Sequence, residues 1–282
     1  MGRTGSEGDD NRISCQDEAH FYVQEDCICF GVFDGHGPDG HIVAALCARE
    51  LSSCLIDDQS FYFSQNNIEQ AVKGGMESLQ RRIDELPPHR ADIDTSGATA
   101  TIGYVSKSGI WIANVGDTRA IGARFDPVSK GFSVVQLSDE HILTIESEAN
   151  RIIQQGGRVS PILIDGRPIG PPRCWFGYSD SDLPGLMVSR CLGDRIARSI
   201  GVNAECSLYH ADKLAFLVVA SDGLWEVMDS EQVVGFVAGY YMRPIPGLAV
   251  SEMLCLEAKK RWTQLEGKVA DDVSAIVITF TV

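Results

Sequence analysis

The stretch Cys27-Ile-Cys-Phe-Gly-Val-Phe33 is an apolar run of strand length, and it meets Asp34-Gly35-His36-Gly37-Pro38-Asp39-Gly40 before a helical pattern runs from about His41 to Cys54. The reading is a strand, a polar turn and a helix. The turn's glycines permit close backbone approach, so the Gly35 carbonyl could join a set of oxygen ligands, with His36 beside it as a candidate general acid. Gly35-x-Gly37-x-x-Gly40 also fits the dinucleotide-binding fingerprint, with Asp57 or Asp58 about twenty residues on. Against this, Asp34 would sit on the pyrophosphate, and the next strands read as a meander where the fingerprint needs a parallel crossover.

Downstream, Ile68, Ala71, Val72, Met76, Leu79, Ile83 and Leu86 recur at helical spacing and stop at Pro87-Pro88. Short strand-like runs follow at Thr99 to Val105, Ile110 to Val115, Arg119 to Phe125 and Phe132 to Leu137, an expected antiparallel meander. A helix is expected from about Ile145 to Gln155, closed by Gly156-Gly157 in a left-handed cap. Residues 160–185, rich in Pro, Gly and Asp, read as a long flap-like surface loop. Leu214 to Ala220 reads as a buried strand, Ser230 as the cap of a helix to about Tyr240, Gly247 to Glu266 as a longer helix and Val273 to Thr281 as the last strand. Helices grouped between groups of strands predict an α+β layer architecture.

With 282 residues, 44% of them hydrophobic, and no linker or repeat, the chain is expected to form one domain over residues 1–282. A net charge of −15 repels nucleic acid and anionic membranes and suits cations. Nine cysteines without a C-x-x-C pair, and apolar runs too short to span a bilayer, predict a reduced, intracellular protein of the cytoplasm or nucleus with no transmembrane segment. Met1-Gly2-Arg3-Thr4-Gly5-Ser6 matches the N-myristoylation pattern, although Glu7, Asp9 and Asp10 stand where stable anchoring wants basic residues.

Three acidic sites share one setting: Asp34 and Asp222 end apolar strands, and Asp271-Asp272 opens the last one. Singly, each suits a turn or a cap. Together, carboxylates converging on one rim of a sheet repel unless a cation neutralises them, and all-oxygen ligation favours Mg²⁺ or Mn²⁺ over Zn²⁺. Cys255-x5-Arg261 has the spacing of cysteine-dependent phosphatases, but its intervening residues are helix formers without glycine, and Glu257 falls where phosphate would lie.

The ordered blocks Arg12-x-x-x-Gln16-Asp17, Gly31-Val-Phe-Asp-Gly-His-Gly37, Ser96-Gly-Ala-Thr-Ala100, Asn114-Val-Gly-Asp-Thr-Arg119, Val188-Ser-Arg-Cys-Leu-Gly-Asp194, Ala220-Ser-Asp-Gly-Leu-Trp-Glu226 and Asp271-Asp-Val-Ser274 resemble the protein phosphatase 2C family, closest to its plant and protist branch. The resemblance implies a central β-sandwich of two antiparallel sheets flanked by helices and a binuclear Mg²⁺ or Mn²⁺ centre that hydrolyses phosphoserine and phosphothreonine in phosphoprotein substrates. It further implies that Asp34 bridges the metals, that Asp222 and Asp271 hold the first, and that the Gly35 carbonyl and Gln16 serve the second, with Asp17 behind them. Asp117 and Glu226, with Asp222, would form a weaker third site; Arg12 would bind phosphate, and His36 would protonate the departing oxygen. A monomer is expected. Gln16 departs from the family's usual Glu, Asp272 from Asn and Ala204 from Pro. The loss of charge at Gln16 keeps a second class of function in view, a catalytically silent phosphatase-like domain that binds phosphoproteins or a scaffold.

Overall fold

The computed structural model describes residues 15–24, 26–64, 66–177, 182–243, 249–265 and 270–280. Arg12, the Met1–Ser6 pattern and the expected helix ends Gly247 and Glu266 lie outside them.

Alternation builds the layers. In β2 (Cys27–His36) Phe30 and Val32 face one way while Cys29 and Phe33 face the other, and in β12 (Phe216–Ala220) Leu217 and Val219 oppose Phe216, Val218 and Ala220. Phe30, Val32, Leu217 and Val219 share one buried cluster, the seam between two sheets. The first sheet runs β1 (Asp17–Gln24), β2, β3 (Gly97–Ser106), β4 (Gly109–Val115), β11 (Ser207–Ala211), with the short β10 (Leu192–Gly193) also on β3. The second runs β13 (Ala275–Thr279), β12, β5 (Arg119–Asp126), β6 (Gly131–Gln136). All these pairings are antiparallel.

Helices cover the outer faces. Val43 and Leu51 of α1 (Gly40–Ser52) and Val72, Met76 and Leu79 of α3 (Ile68–Asp84) pack on Cys29 and Phe33, while the short α2 (Ser60–Ser64) lies between these two helices in sequence. Val233 and Val237 of α6 (Ser230–Met242) and Leu254 of α7 (Val250–Trp262) pack on Phe216 and Val218. The α+β sandwich expected from the sequence is the fold observed.

Four local expectations change. The strand Cys27–Phe33 continues through Asp34, Gly35 and His36, which pair with Thr99, Ala98 and Gly97; the turn starts at Gly37, whose φ is +83°. The meander is divided between the sheets, because Gly116-Asp117-Thr118 carries the chain from β4 in one to β5 in the other. Residues 160–185 are largely not a loop: with flanking residues they make a third antiparallel sheet of β7 (Gly157–Ile164), β8 (Arg167–Phe176) and β9 (Pro184–Leu186), after α4 (Glu146–Gln154) and its left-handed Gly156. Mostly exposed strands carry no apolar alternation, so composition hid them. Finally, α6 is capped by Asp229, whose carboxylate accepts from Gln232 N at 2.8 Å, and not by Ser230. Among the described residues no helix is long and apolar enough to cross a membrane.

Candidate active site

Both sheets deliver acids to one rim. In the first, Asp17 of β1 stands opposite Asp34 of β2, which stands opposite Thr99 of β3. In the second, β5, β12 and β13 align at Arg119, Ala220 and Ala275, so Asp117 just precedes one strand, Asp222 just follows another, and Asp271 precedes the third. Asp222 begins the single-turn α5 (Asp222–Trp225). Ser221 joins the sheets: its hydroxyl donates to Asp17 Oδ2 at 2.6 Å and accepts from Ser274 N at 3.1 Å.

Close backbone approach tightens the rim. A Cβ on Gly35 would lie 2.4 Å from the Gly40 carbonyl oxygen and 2.8 Å from that of Gln16, so no other residue fits between β1 and the start of α1. Gly35 and Gly40 of the apparent dinucleotide fingerprint therefore serve strand-to-helix packing, while Gly37 lies against Thr95 and Ser96. Gln16 is pinned three ways: its N–H donates to Asp272 Oδ2 at 2.9 Å, its carbonyl accepts from Gly35 N at 3.1 Å, and its Nε2 donates to the Gly37 carbonyl at 2.9 Å. The Asp272 that departs from the resemblance thus acts as a hydrogen-bond acceptor, a role Asn also fills.

The electrostatics are those of carboxylates in search of a cation. Burial, then repulsion from Asp222, Asp17 and Asp117, pushes Asp34 up to about 11. Burial with Asp117 and Asp271 raises Asp222 to about 8, and burial is the main cause of the rise to about 6 at both Asp17 and Asp117. Asp271 is raised by burial in the same direction. For His36 burial pulls the pKa down, but the Asp194 carboxylate, with Nε2 and Oδ2 2.5 Å apart, more than offsets it and the pKa is raised.

A cavity of about 260 Å³ opens here, lined among others by Asp34, His36, Thr99, Asp117, Asp222 and, from β8, Arg173. A second of about 350 Å³ shares Asp117 and Asp222 with it and includes Glu226. Thr99 Oγ1 is buried at this site without a hydrogen-bond partner among the described residues. An orphaned hydroxyl beside crowded, proton-retaining carboxylates fits an oxygen-bound divalent cation.

The structure thus gathers Asp17, Asp34, Gly35, His36, Asp117, Asp222, Glu226 and Asp271 at one end of the sandwich, with Gln16 on its edge. Arg12 lies outside the described residues. No local pattern gives a role to Asp194, which closes the Val188–Asp194 block, or to Arg173, which only the folding back of β8 brings to the cavity. The decoy Cys255-x5-Arg261 is ordinary α7, with Arg261 bonded to Glu257, Gln232 and the Val227 carbonyl.

A sandwich of this topology with acids at one rim defines a class, and the comparisons agree with it. The sequence profile of the family described as Protein phosphatase 2C matches residues 1–264. The chain belongs to the protein phosphatase 2C family. It is 29% identical to "Probable protein phosphatase 2C 73" of Arabidopsis thaliana, covering 92% of this chain and 72% of that one. It is 28% identical to "Probable protein phosphatase 2C 64" of Oryza sativa subsp. japonica, covering 86% of this chain but only 56% of the relative. Its fold is similar to the crystal structure of serine-threonine phosphatase 2C from Toxoplasma gondii, with a TM-score of 0.69 at 19% identity over 96% of this chain and 92% of that one. The structure of a C. elegans sex determining protein aligns with a TM-score of 0.74 at 20% identity, over 94% of this chain and 61% of that one.

Proposed function

We propose that the chain hydrolyses phosphoserine and phosphothreonine in proteins, using two Mg²⁺ or Mn²⁺ ions at the rim. The observation that carries this reading is the convergence of Asp34, Asp117, Asp222 and Asp271 from two sheets, with raised pKa values, beside His36. Asp34 lies between the acids of both sheets and would touch both ions. Asp222 and Asp271 would hold one, the Gly35 carbonyl and Gln16 Oε1 the other, and Asp117 with Glu226 and Asp222 a weaker third. Asp17, engaged by Ser221, would stay behind the ligands and restrain Asp34. When bound, the ions would supply Lewis-acid polarisation of the phosphoryl group and an activated water.

The chain's own residues do the rest. Arg12 would bind the phosphoryl oxygens, while His36 gives its proton to the seryl or threonyl oxygen as the P–O bond breaks. Purified protein with Mn²⁺ or Mg²⁺ should release phosphate from a phosphothreonine peptide, stop on addition of chelator and stop again in Asp222→Ala. Binding of that peptide without turnover would instead identify a silent phosphoprotein-binding domain, the reading that Gln16 keeps open.

A further inference from the structure

His36 needs a partner that holds its ring, and the structure supplies one from a distant part of the chain. Asp194 Oδ2 lies 2.5 Å from His36 Nε2 and also accepts from Cys191 Sγ at 3.0 Å. The Asp194 and Cys191 side chains are both buried. The carboxylate oxygen is the acceptor, so Nε2 donates in this contact, and Nδ1 of His36, a residue that lines the cavity, remains free to act as the acid.

Local backbone is arranged to make the contact. Asp194 adopts a left-handed conformation, φ 39° and ψ 53°, unusual for a residue with a Cβ. It is held there by Asp194 N donating to the Ser96 carbonyl at 3.0 Å and by Ala197 N donating to the Asp194 carbonyl at 2.9 Å. The preceding Gly193 pairs with Gly97, which pairs in turn with His36 across β3 and β2. A Cβ at residue 97 would lie 2.0 Å from Asp194 Oδ2 and 2.9 Å from His36 Nε2, so the imidazole and carboxylate meet through space that only glycine leaves open.

His36, Cys191 and Asp194 bring a nitrogen, a sulfur and an oxygen within 4.8 Å of one another, which invites a metal reading. The distances decide against it. Ligands ~2.0–2.3 Å from one tetrahedral ion stand roughly 3.3 Å or more apart, whereas Nε2 and Sγ approach the same oxygen at 2.5 and 3.0 Å. These are hydrogen-bond lengths. Burial keeps the Cys191 thiol far above its usual pKa, so it remains an S–H donor.

We propose that Asp194, steadied by Cys191, is the positioning residue that aims His36 at the departing oxygen. This rests on the phosphatase reading above. The Nδ1 proton passes to the seryl or threonyl oxygen as the P–O bond breaks, while the Nε2–H to Oδ2 bond persists and prevents the ring from turning. Loss of aim matters only where the leaving oxygen needs a proton.

Leaving-group dependence tests this. Positioned proton transfer contributes ~10²–10⁴-fold, so Asp194→Asn should lower kcat on a phosphothreonine peptide about 100-fold. On p-nitrophenyl phosphate, whose leaving group departs unprotonated, the loss should stay below about threefold. Cys191→Ala should shift the ratio of the two kcat values in the same sense but less, and Cys191→Ser, which retains a donor, should restore it. Equal losses on both esters, or no loss on the peptide, would overturn the proposal. Should Asp194→Asn lose its melting transition, the Cys191→Ala and Cys191→Ser pair decides by the same ratio. Wild-type protein inert towards both esters would overturn the phosphatase reading itself, and this inference with it.

Discussion

Asp34 concentrates the conflict between stability and function. Its carboxyl is held up to about 11 by burial and by three neighbouring acids, so without a cation it stays protonated or repels them. Asp34→Asn removes the cost of taking up that proton, or of bearing that charge, on folding at nearly constant shape. The metal-free variant should be more stable than wild type at about pH 8, by roughly 1–3 kcal/mol, in a urea titration with chelator present. Phosphate release from the peptide should fall by at least about 100-fold in the same variant. Loss of both stability and activity would mean that Asp34 is a structural carboxyl. The sequence identified Asp34, Asp222 and Asp271 because each sits where an apolar run meets polar residues, a signal local to the chain. It assigned nothing to Asp194, because the contact with His36 spans 158 residues of separation and a left-handed backbone that no local pattern announces.

At the level of elements, α4 is fastened to the segment that follows β9 by one acid. Glu148 of α4 accepts from Arg190 Nη2 at 2.6 Å, Arg151 Nη2 at 2.8 Å and Ser189 Oγ at 2.5 Å. Burial would raise its pKa, but these donors overcome that and hold it at about 2. The pKa is depressed, so the stability it adds is present above the unfolded value near 4.5 and is lost as pH falls through about 2. Glu148→Ala removes the carboxylate shared by Arg151 and Arg190, leaving them only backbone carbonyls of Gly201, Ser189 and Glu205, and should cost ~3–5 kcal/mol in chemical denaturation; a loss under about 1 kcal/mol would show that solvent replaces the carboxylate. Helix boundaries in the sequence were legible to within a few residues because buried spacing marks them, as in α3. The strands β1 and β7 to β9 were not, since their outward side chains meet solvent and leave no period to read.

Across the whole molecule, the acidic rim ties stability to pH. Asp17 and Asp117 titrate near 6 and Asp222 near 8, above an ordinary 3.8, so the folded chain binds these protons more tightly than the unfolded one. Their contribution is complete below the unfolded value and disappears as pH rises through 6 and then 8. Chelator-treated protein should therefore melt at a lower temperature at about pH 8 than at about pH 5, and saturating Mg²⁺ or Mn²⁺ should remove most of that slope; a metal-free melting point independent of pH would contradict the rim's electrostatics. The sequence by itself determined the alternating strands, the amphipathic helices and the acids at strand ends, because burial imposes its period on neighbouring residues. Only the tertiary structure decided that β4 and β5 part into different sheets, that β7, β8 and β9 form a sheet of their own, and that Asp194 reaches His36. Each depends on contacts between distant segments, where the deciding energy lies in packing and hydrogen bonds that no single stretch of chain contains.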